Sequence, residues 1–159
     1  MSIIYTDFLQ QILTSDVDLL VDDIRAMLLT PYYEPSKEHA FADIKPFEIT
    51  SKNYTEGGNS LYITLQSDTQ VKSAKVRWVD LTAKVQYVFV YKNGDNPLPI
   101  LCQDLSLRDL QNNNFAINWE DFLLELSQGE DSARIESTSV LGSMILGKAV
   151  LGTDFPKEN

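Results

Sequence analysis

The stretch Val85-Gln-Tyr-Val-Phe-Val-Tyr-Lys92 decides the fold. Its residues are mostly β-branched or aromatic, and it is apolar on both faces, which predicts a central strand covered on both sides. Asn93-Gly94-Asp95-Asn96-Pro97 follows, and Asn-Gly favours a hairpin turn. Residues 98–105 are then the antiparallel partner. Working outward, residues 61–66 and 75–81 read as strands. In residues 22–29, Ile24, Ala26 and Leu28 alternate with more polar neighbours, and Thr30-Pro31 stops that strand. Downstream, Asn112-Asn-Asn114 reads as a turn, with residues 115–119 and 122–126 as a last pair. At the start, residues 3–13 place Phe8, Leu9, Ile12 and Leu13 at helical spacing, ending near Thr14-Ser15-Asp16. Pro31, Pro35 and Pro46 bracket a loop-like stretch, and Gly57-Gly58 sits in a turn that needs positive φ. Many short strands after one helix predict a mainly β fold: an antiparallel β-sandwich or barrel with a short N-terminal helix and an extended C-terminal arm.

The chain has 159 residues and 18.0 kDa, one domain's worth. It carries 23 acidic and 13 basic residues, a net charge of −10. Residues 1–50 hold 9 acidic and 3 basic side chains, residues 51–100 hold 4 and 6, and residues 101–159 hold 10 and 4. Acid therefore lies at both ends and a small basic excess in the middle. This balance argues against a nucleic-acid partner, whose phosphates call for clustered Lys and Arg. One Cys and one His are too few for a disulfide scaffold or a zinc site. No metal or cofactor is expected. Met1-Ser-Ile-Ile-Tyr-Thr-Asp7 lacks the basic start of a signal peptide, and no run reaches the ~18 apolar residues of a membrane span, so no membrane partner is expected.

Three divisions are predicted: a β domain over 1–127, a polar linker over 128–139 and an arm over 140–159. The arm repeats every five residues as Val140-Leu-Gly-Ser-Met, Ile145-Leu-Gly-Lys-Ala and Val150-Leu-Gly-Thr-Asp. Five residues of α-helix turn about 500°, which would scatter the three Gly around the axis. A flat strand would flip the unit's face at each repeat. A bend every five residues, as in a β-solenoid, keeps the units equivalent, but three units make less than one turn and leave the inner face uncovered. The candidate partner-binding residues are therefore Val140, Leu141, Gly142, Ile145, Leu146, Gly147, Val150, Leu151 and Gly152. The other reading is an apolar strand packed on the parent domain.

Reactive constellations are sparse. His39 lies near Ser36 and Asp43, but no nucleophile elbow accompanies them. Asp16, Asp18, Asp22 and Asp23 fail the spacing of a calcium loop, which leaves capping or solvated carboxylates. Glu120 and Asp121 are adjacent and would face opposite ways on a strand. Trp78, Tyr87, Phe89, Tyr91, Phe115 and Trp119 form either core or a stacking platform for sugars or single-stranded nucleic acid. Lys72, Lys75, Arg77 and Lys84 form a solvated strand face or a surface for an acidic neighbour. No catalytic residue is assigned.

The ordered string of motifs resembles a family of small tailed-bacteriophage virion proteins. It comprises Val17-Asp-Leu-Leu-Val-Asp-Asp-Ile24, Tyr33-Glu34-Pro35, His39-x-Phe41-x-Asp43-Ile44 and Glu48-Ile49. Tyr54-x-x-Gly57-Gly58, Val90-Tyr91-Lys92, Pro99-Ile100-Leu101 and Asn113-Asn114-Phe115-x-Ile117-x-Trp119 follow. The resemblance covers roughly residues 5–127. Leu20 stands where such proteins often have a second Asp, and the segment after Cys102 lacks their usual Gly. The resemblance implies a non-enzymatic virion structural protein. It would be a capsid decoration protein, or a tail-associated component or fibre adaptor, with other virion proteins and copies of itself as partners. A host-surface carbohydrate-binding module is the alternative class.

Overall fold

The computed structural model describes residues 2–14, 17–67, 70–119, 124–127, 136–138 and 141–145. In chain order the elements are β1 (Ser2–Ile4), α1 (Thr6–Leu13), β2 (Ile24–Leu29), α2 (Phe41–Ile44), a 3-10 turn at Lys45–Phe47, β3 (Asn59–Ser60), β4 (Ile63–Ser67), β5 (Gln70–Ser73), β6 (Val76–Lys92), β7 (Leu98–Ile117), β8 (Leu124–Ser127), β9 (Glu136–Thr138) and β10 (Leu141–Ile145). The protein is mainly β, with one short N-terminal helix ahead of its long strands. One sheet runs β1-β7-β6-β2-β3 and is antiparallel throughout; the second runs β4-β5-β8-β10-β9. Neither closes into a barrel among the described residues.

The 85–92 stretch is central and is buried on both sides. Met27 pairs with Phe89 and Ala26 with Val90 across β2 and β6. Val85, Val88 and Val90 face the larger core with Ile24, Ala26, Leu28 and the α1 residues Phe8, Leu9 and Ile12. Tyr87, Phe89 and Tyr91 face the other way, with Met27, Leu29, Tyr5, Tyr33, Ile44 and Cys102. A register shift between Val85 and Tyr87 lets Val85 and Val88 share a face. Each fully buried side chain of this size contributes roughly 1.5–3 kcal/mol of transfer free energy. The neighbours that alternate with Ile24, Ala26 and Leu28 are not solvent-facing: Met27 and Leu29 are fully buried, so β2 too is covered on both faces.

Two strands run longer than the turn signals predict. Residues 76–81 and 85–92 belong to one strand, β6, and residues 98–105 and 115–117 to one strand, β7. Asn112-Asn-Asn114 is not a turn but lies inside β7. Positive φ at Asp80 (53°), Ser106 (68°) and Asn112 (55°) accompanies register shifts in this hairpin. Asn and Asp tolerate that region better than most residues, so the run bends the ribbon instead of reversing it. The Asn side chains also serve the interrupted ladder. Asn114 Oδ1 accepts from Asp80 N at 3.0 Å and Asn113 Oδ1 from Gln111 N at 2.8 Å. The free edge of β6 is occupied by loop side chains: Thr82 N donates to Ser51 Oγ, while Asn53 and Asn59 donate to the Asp80 and Arg77 carbonyls.

Other bounds shift by short distances. Residues 2–4 are a strand and the helix starts at Thr6. The 22–29 strand starts at Ile24, and the 61–66 strand starts at Ile63. The proline-bracketed stretch contains α2 and the 3-10 turn. In the second sheet β10 pairs with β8 in parallel and with β9 antiparallel, so Leu141, Gly142 and Ile145 lie on a strand of the chain's own sheet. β9 lies within the span read as linker. Val140, Leu146, Gly147, Val150, Leu151 and Gly152 lie outside the described residues, as do Glu120, Asp121 and Asp16.

The Gly57-Gly58 turn is fastened to β2 by one carboxylate. The Glu48 side chain is 5% exposed and its Oε2 accepts from Tyr54 OH at 2.7 Å and Gly57 N at 2.7 Å. Its Oε1 meets Lys45 Nζ at 2.8 Å, and Lys45 also reaches Glu56 at 2.6 Å. Tyr54 OH in turn accepts from Leu28 N, and Tyr91 OH donates to the Gly57 carbonyl at 2.6 Å. Burial opposes the Lys45 charge, but the two carboxylates outweigh it and raise its pKa. Gly58 sits at φ +82°, and a Cβ there would overlap the Ala26 carbonyl. Glu48→Ala leaves the Tyr54 hydroxyl, the Gly57 amide and Lys45 without their shared acceptor, an expected loss of about 3 kcal/mol in urea unfolding. Glu48→Gln, which keeps an acceptor, should lose clearly less. Equal losses in the two variants would remove the acceptor role.

Candidate functional site

The segment joining β2 to the Glu48 carboxylate covers the second face of the sheet and forms a cleft as it does so. Thr30 N donates to the Phe47 carbonyl at 2.8 Å and closes the base of the loop, while Thr6 N donates to the Lys37 carbonyl at 3.0 Å and ties its tip to α1. Pro31 ends the strand direction, and Tyr33 N returns to the Thr30 carbonyl in a turn. Tyr32 therefore points out, with 76% exposure, and Tyr33 points in, with 1%. Asp43 Oδ2 accepts from Ala40 N at 2.9 Å and starts α2, whose Phe41 packs 5.0 Å from the Tyr91 ring.

The resulting cleft is open, has a volume of about 560 Å³, and is lined by residues 32–36, His39, Asp43 and Phe47. Its floor is a hydrogen-bonded chain. Tyr5 OH and Tyr33 OH are 2.9 Å apart, and Tyr33 OH lies 2.9 Å from His39 Nδ1. With the imidazole proton on Nε2, Tyr33 donates to His39 and accepts from Tyr5. Tyr33 also packs edge-on to Tyr87 at 5.7 Å and tilted against Phe47 at 5.4 Å. Burial pushes the Tyr33 phenol up to about 12 and raises Tyr5 further. Beneath them burial pushes the free thiol of Cys102 up to about 12, so this cysteine is a neutral packing group and not a nucleophile.

Ser36, His39 and Asp43 thus share the cleft, but no described hydrogen bond links them as a triad. His39 Nδ1 is engaged by Tyr33, Asp43 caps α2, and Ser36 Oγ accepts from Glu38 N at 3.4 Å. The aromatic platform is not assembled either: Trp78, Tyr87, Phe89, Tyr91 and Trp119 are all under 9% exposed, and Phe115 is half-buried against Trp78. The N-terminal carboxylates serve turns and ion pairs. Asp22 accepts from Asp18 N and meets Lys92, and Asp23 binds Arg25 at 3.0 Å. Lys72, Lys75, Arg77 and Lys84 are exposed. Among the described residues no three His, Cys, Asp or Glu side chains converge as a metal site, and no helix is long and apolar enough to cross a membrane.

Sequence reasoning missed Tyr32 and the structural part played by Glu48. Tyr32 carries a signal only in retrospect: two adjacent tyrosines between prolines must point opposite ways, and one of them is left outside.

Burial raises the pKa of Tyr5, Tyr33, Tyr54, Tyr87 and Tyr91 above the ordinary value of 10.0. The fold favours each neutral phenol, so this contribution is complete below pH 10 and is lost as pH climbs towards the Tyr33 value of about 12. Phenolate absorbance should therefore lag behind that of free tyrosine and rise together with loss of far-UV circular dichroism. Ionisation of most phenols near pH 10 with the circular dichroism unchanged would contradict it.

No protein-family model, curated protein or solved structure matches the chain.

Proposed function

We propose that this chain is a non-enzymatic structural component of a tailed-bacteriophage virion, a capsid decoration protein whose C-terminal arm takes part in anchoring or self-association. One observation carries the reading: most residues of the phage-like motifs are engaged in building the domain, with Glu34 and one oxygen of Asp43, which face the cleft, as the exceptions. Tyr33 and His39 bond each other, Glu48 holds Tyr54 and Gly57, and Lys92 pairs with Asp22. Asn113 and Asn114 serve the bulges of the long hairpin, and Trp119 Nε1 donates to Gln103. Motif residues that are mostly absorbed in internal bonds fit a family defined by a scaffold. Burial of the strand aromatics weighs against the carbohydrate-module reading. The acidic surface would keep the free protein soluble before assembly.

Two measurements test this. A reconstruction of the purified phage particle is expected to place the protein's density over the capsid lattice. Density confined to the vertex or tail would move the assignment to a tail-associated component, and absence from purified particles would end the virion reading. A chain ending at Ile145 keeps β10 and removes the last two Leu-Gly units. It should retain the circular dichroism and melting of the full chain but lose particle binding or self-association. Unchanged association would remove the docking role of Leu146, Gly147, Val150, Leu151 and Gly152.

A further inference from the structure

We propose that the cleft between Tyr32 and Phe47 receives a lysine or arginine side chain presented by a partner protein. This goes beyond the virion reading and does not depend on it. The cleft is lined by three tyrosine or phenylalanine rings, the His39 imidazole, the Ser36 hydroxyl, two carboxylates and no Lys or Arg. Glu34 is exposed and Asp43 uses Oδ2 for Ala40, so Glu34 and Asp43 Oδ1 face no hydrogen-bond donor among the described residues. Tyr32 presents an exposed ring at the rim and Phe47 a half-buried one, while Tyr33, 1% exposed, packs against Phe47 with ring centroids 5.4 Å apart.

This chemistry selects a cation. Aromatic faces carry negative quadrupole potential, and the two carboxylates add acceptors with no Lys or Arg in the lining to neutralise them. A neutral sugar would find hydroxyl and imidazole partners in the lining but would leave the charge of the two carboxylates uncompensated. An anion would meet two carboxylates. The aliphatic stem of Lys or Arg suits the rings while its head reaches the carboxylates. The Tyr5–Tyr33–His39 chain fixes the floor beforehand, so little side-chain ordering is needed on binding. The cleft also belongs to the first fifty residues, where acid outnumbers base by 9 to 3, and that excess attracts a basic partner from a distance.

The test uses the full chain and NMR of its aromatic rings, titrated with the capped tripeptide Gly-Arg-Gly, its lysine counterpart and its neutral citrulline counterpart. The cationic peptides should shift the rings of Tyr32, Tyr33 and Phe47 in a saturable way, weakening as salt rises. The citrulline peptide should bind about tenfold more weakly or not at all. Tyr32→Ala and Glu34→Gln alter exposed side chains, and each should reduce the arginine-dependent shifts while leaving the melting temperature in place. Equal shifts with citrulline, shifts with neutral oligosaccharides in place of the cationic peptides, or full retention of binding in both variants would overturn the proposal.

Discussion

A strand that is apolar on both faces must be covered on both faces, and the rest of this molecule answers to that requirement. β6 and β2 pair in register, so their two rows of side chains form two apolar surfaces that cannot be left wet. The chain reaches them with different materials. α1 and the inner face of the long hairpin cover one side; the loop between Thr30 and Phe47 covers the other with Tyr33, Phe41, Ile44 and Phe47. A loop is a poor cover because its backbone groups need partners. Here they find them in the Thr30–Phe47 and Thr6–Lys37 bonds and in the Asp43 cap. The cleft is the concavity left where an irregular segment, and not a flat sheet, closes a core.

The same requirement explains which parts of the fold were legible in the sequence. Residues 85–92 announced a doubly covered strand because both side-chain rows are apolar, and the following Asn-Gly fixed the hairpin. The second burial of β2 was hidden because Arg25 sits in the same row as Met27 and Leu29, which makes the row look polar. The extent of the hairpin was hidden for another reason. Asn112-Asn-Asn114 carries the local chemistry of a turn, and only cross-strand partners such as Asp80 and Thr82 turn that chemistry into a bulge. Turn propensity reports tolerance of positive φ, and a bulge draws on the same tolerance.

The candidate site was partly legible. His39, Ser36 and Asp43 stood out as the only grouping around an imidazole, and they do line one cleft. Their hydrogen bonds could not be read from spacing, because His39 is engaged by Tyr33, and Tyr33 is placed by Tyr5, 28 residues earlier in the chain. Glu48 was visible only as part of a motif. Its importance comes from burial, since a carboxylate with several converging donors in a dry place holds more structure than an exposed one.

The polar groups of this protein sort by where they sit. Of those reaching into the interior, Glu48, Tyr54, Tyr5 and Tyr33 are engaged with one another or with the backbone and hold loops onto the central sheet, while the buried Trp78 Nε1 has no hydrogen-bond partner among the described residues. Those facing outward in the cleft, Glu34 and the second oxygen of Asp43, are left over once the fold has satisfied itself. Ser36 and His39 are joined through the backbone, His39 N donating to the Ser36 carbonyl, and their side chains are held by Glu38 N and by Tyr33. A fixed aromatic wall beside unengaged acceptors is an arrangement suited to holding a complementary charge.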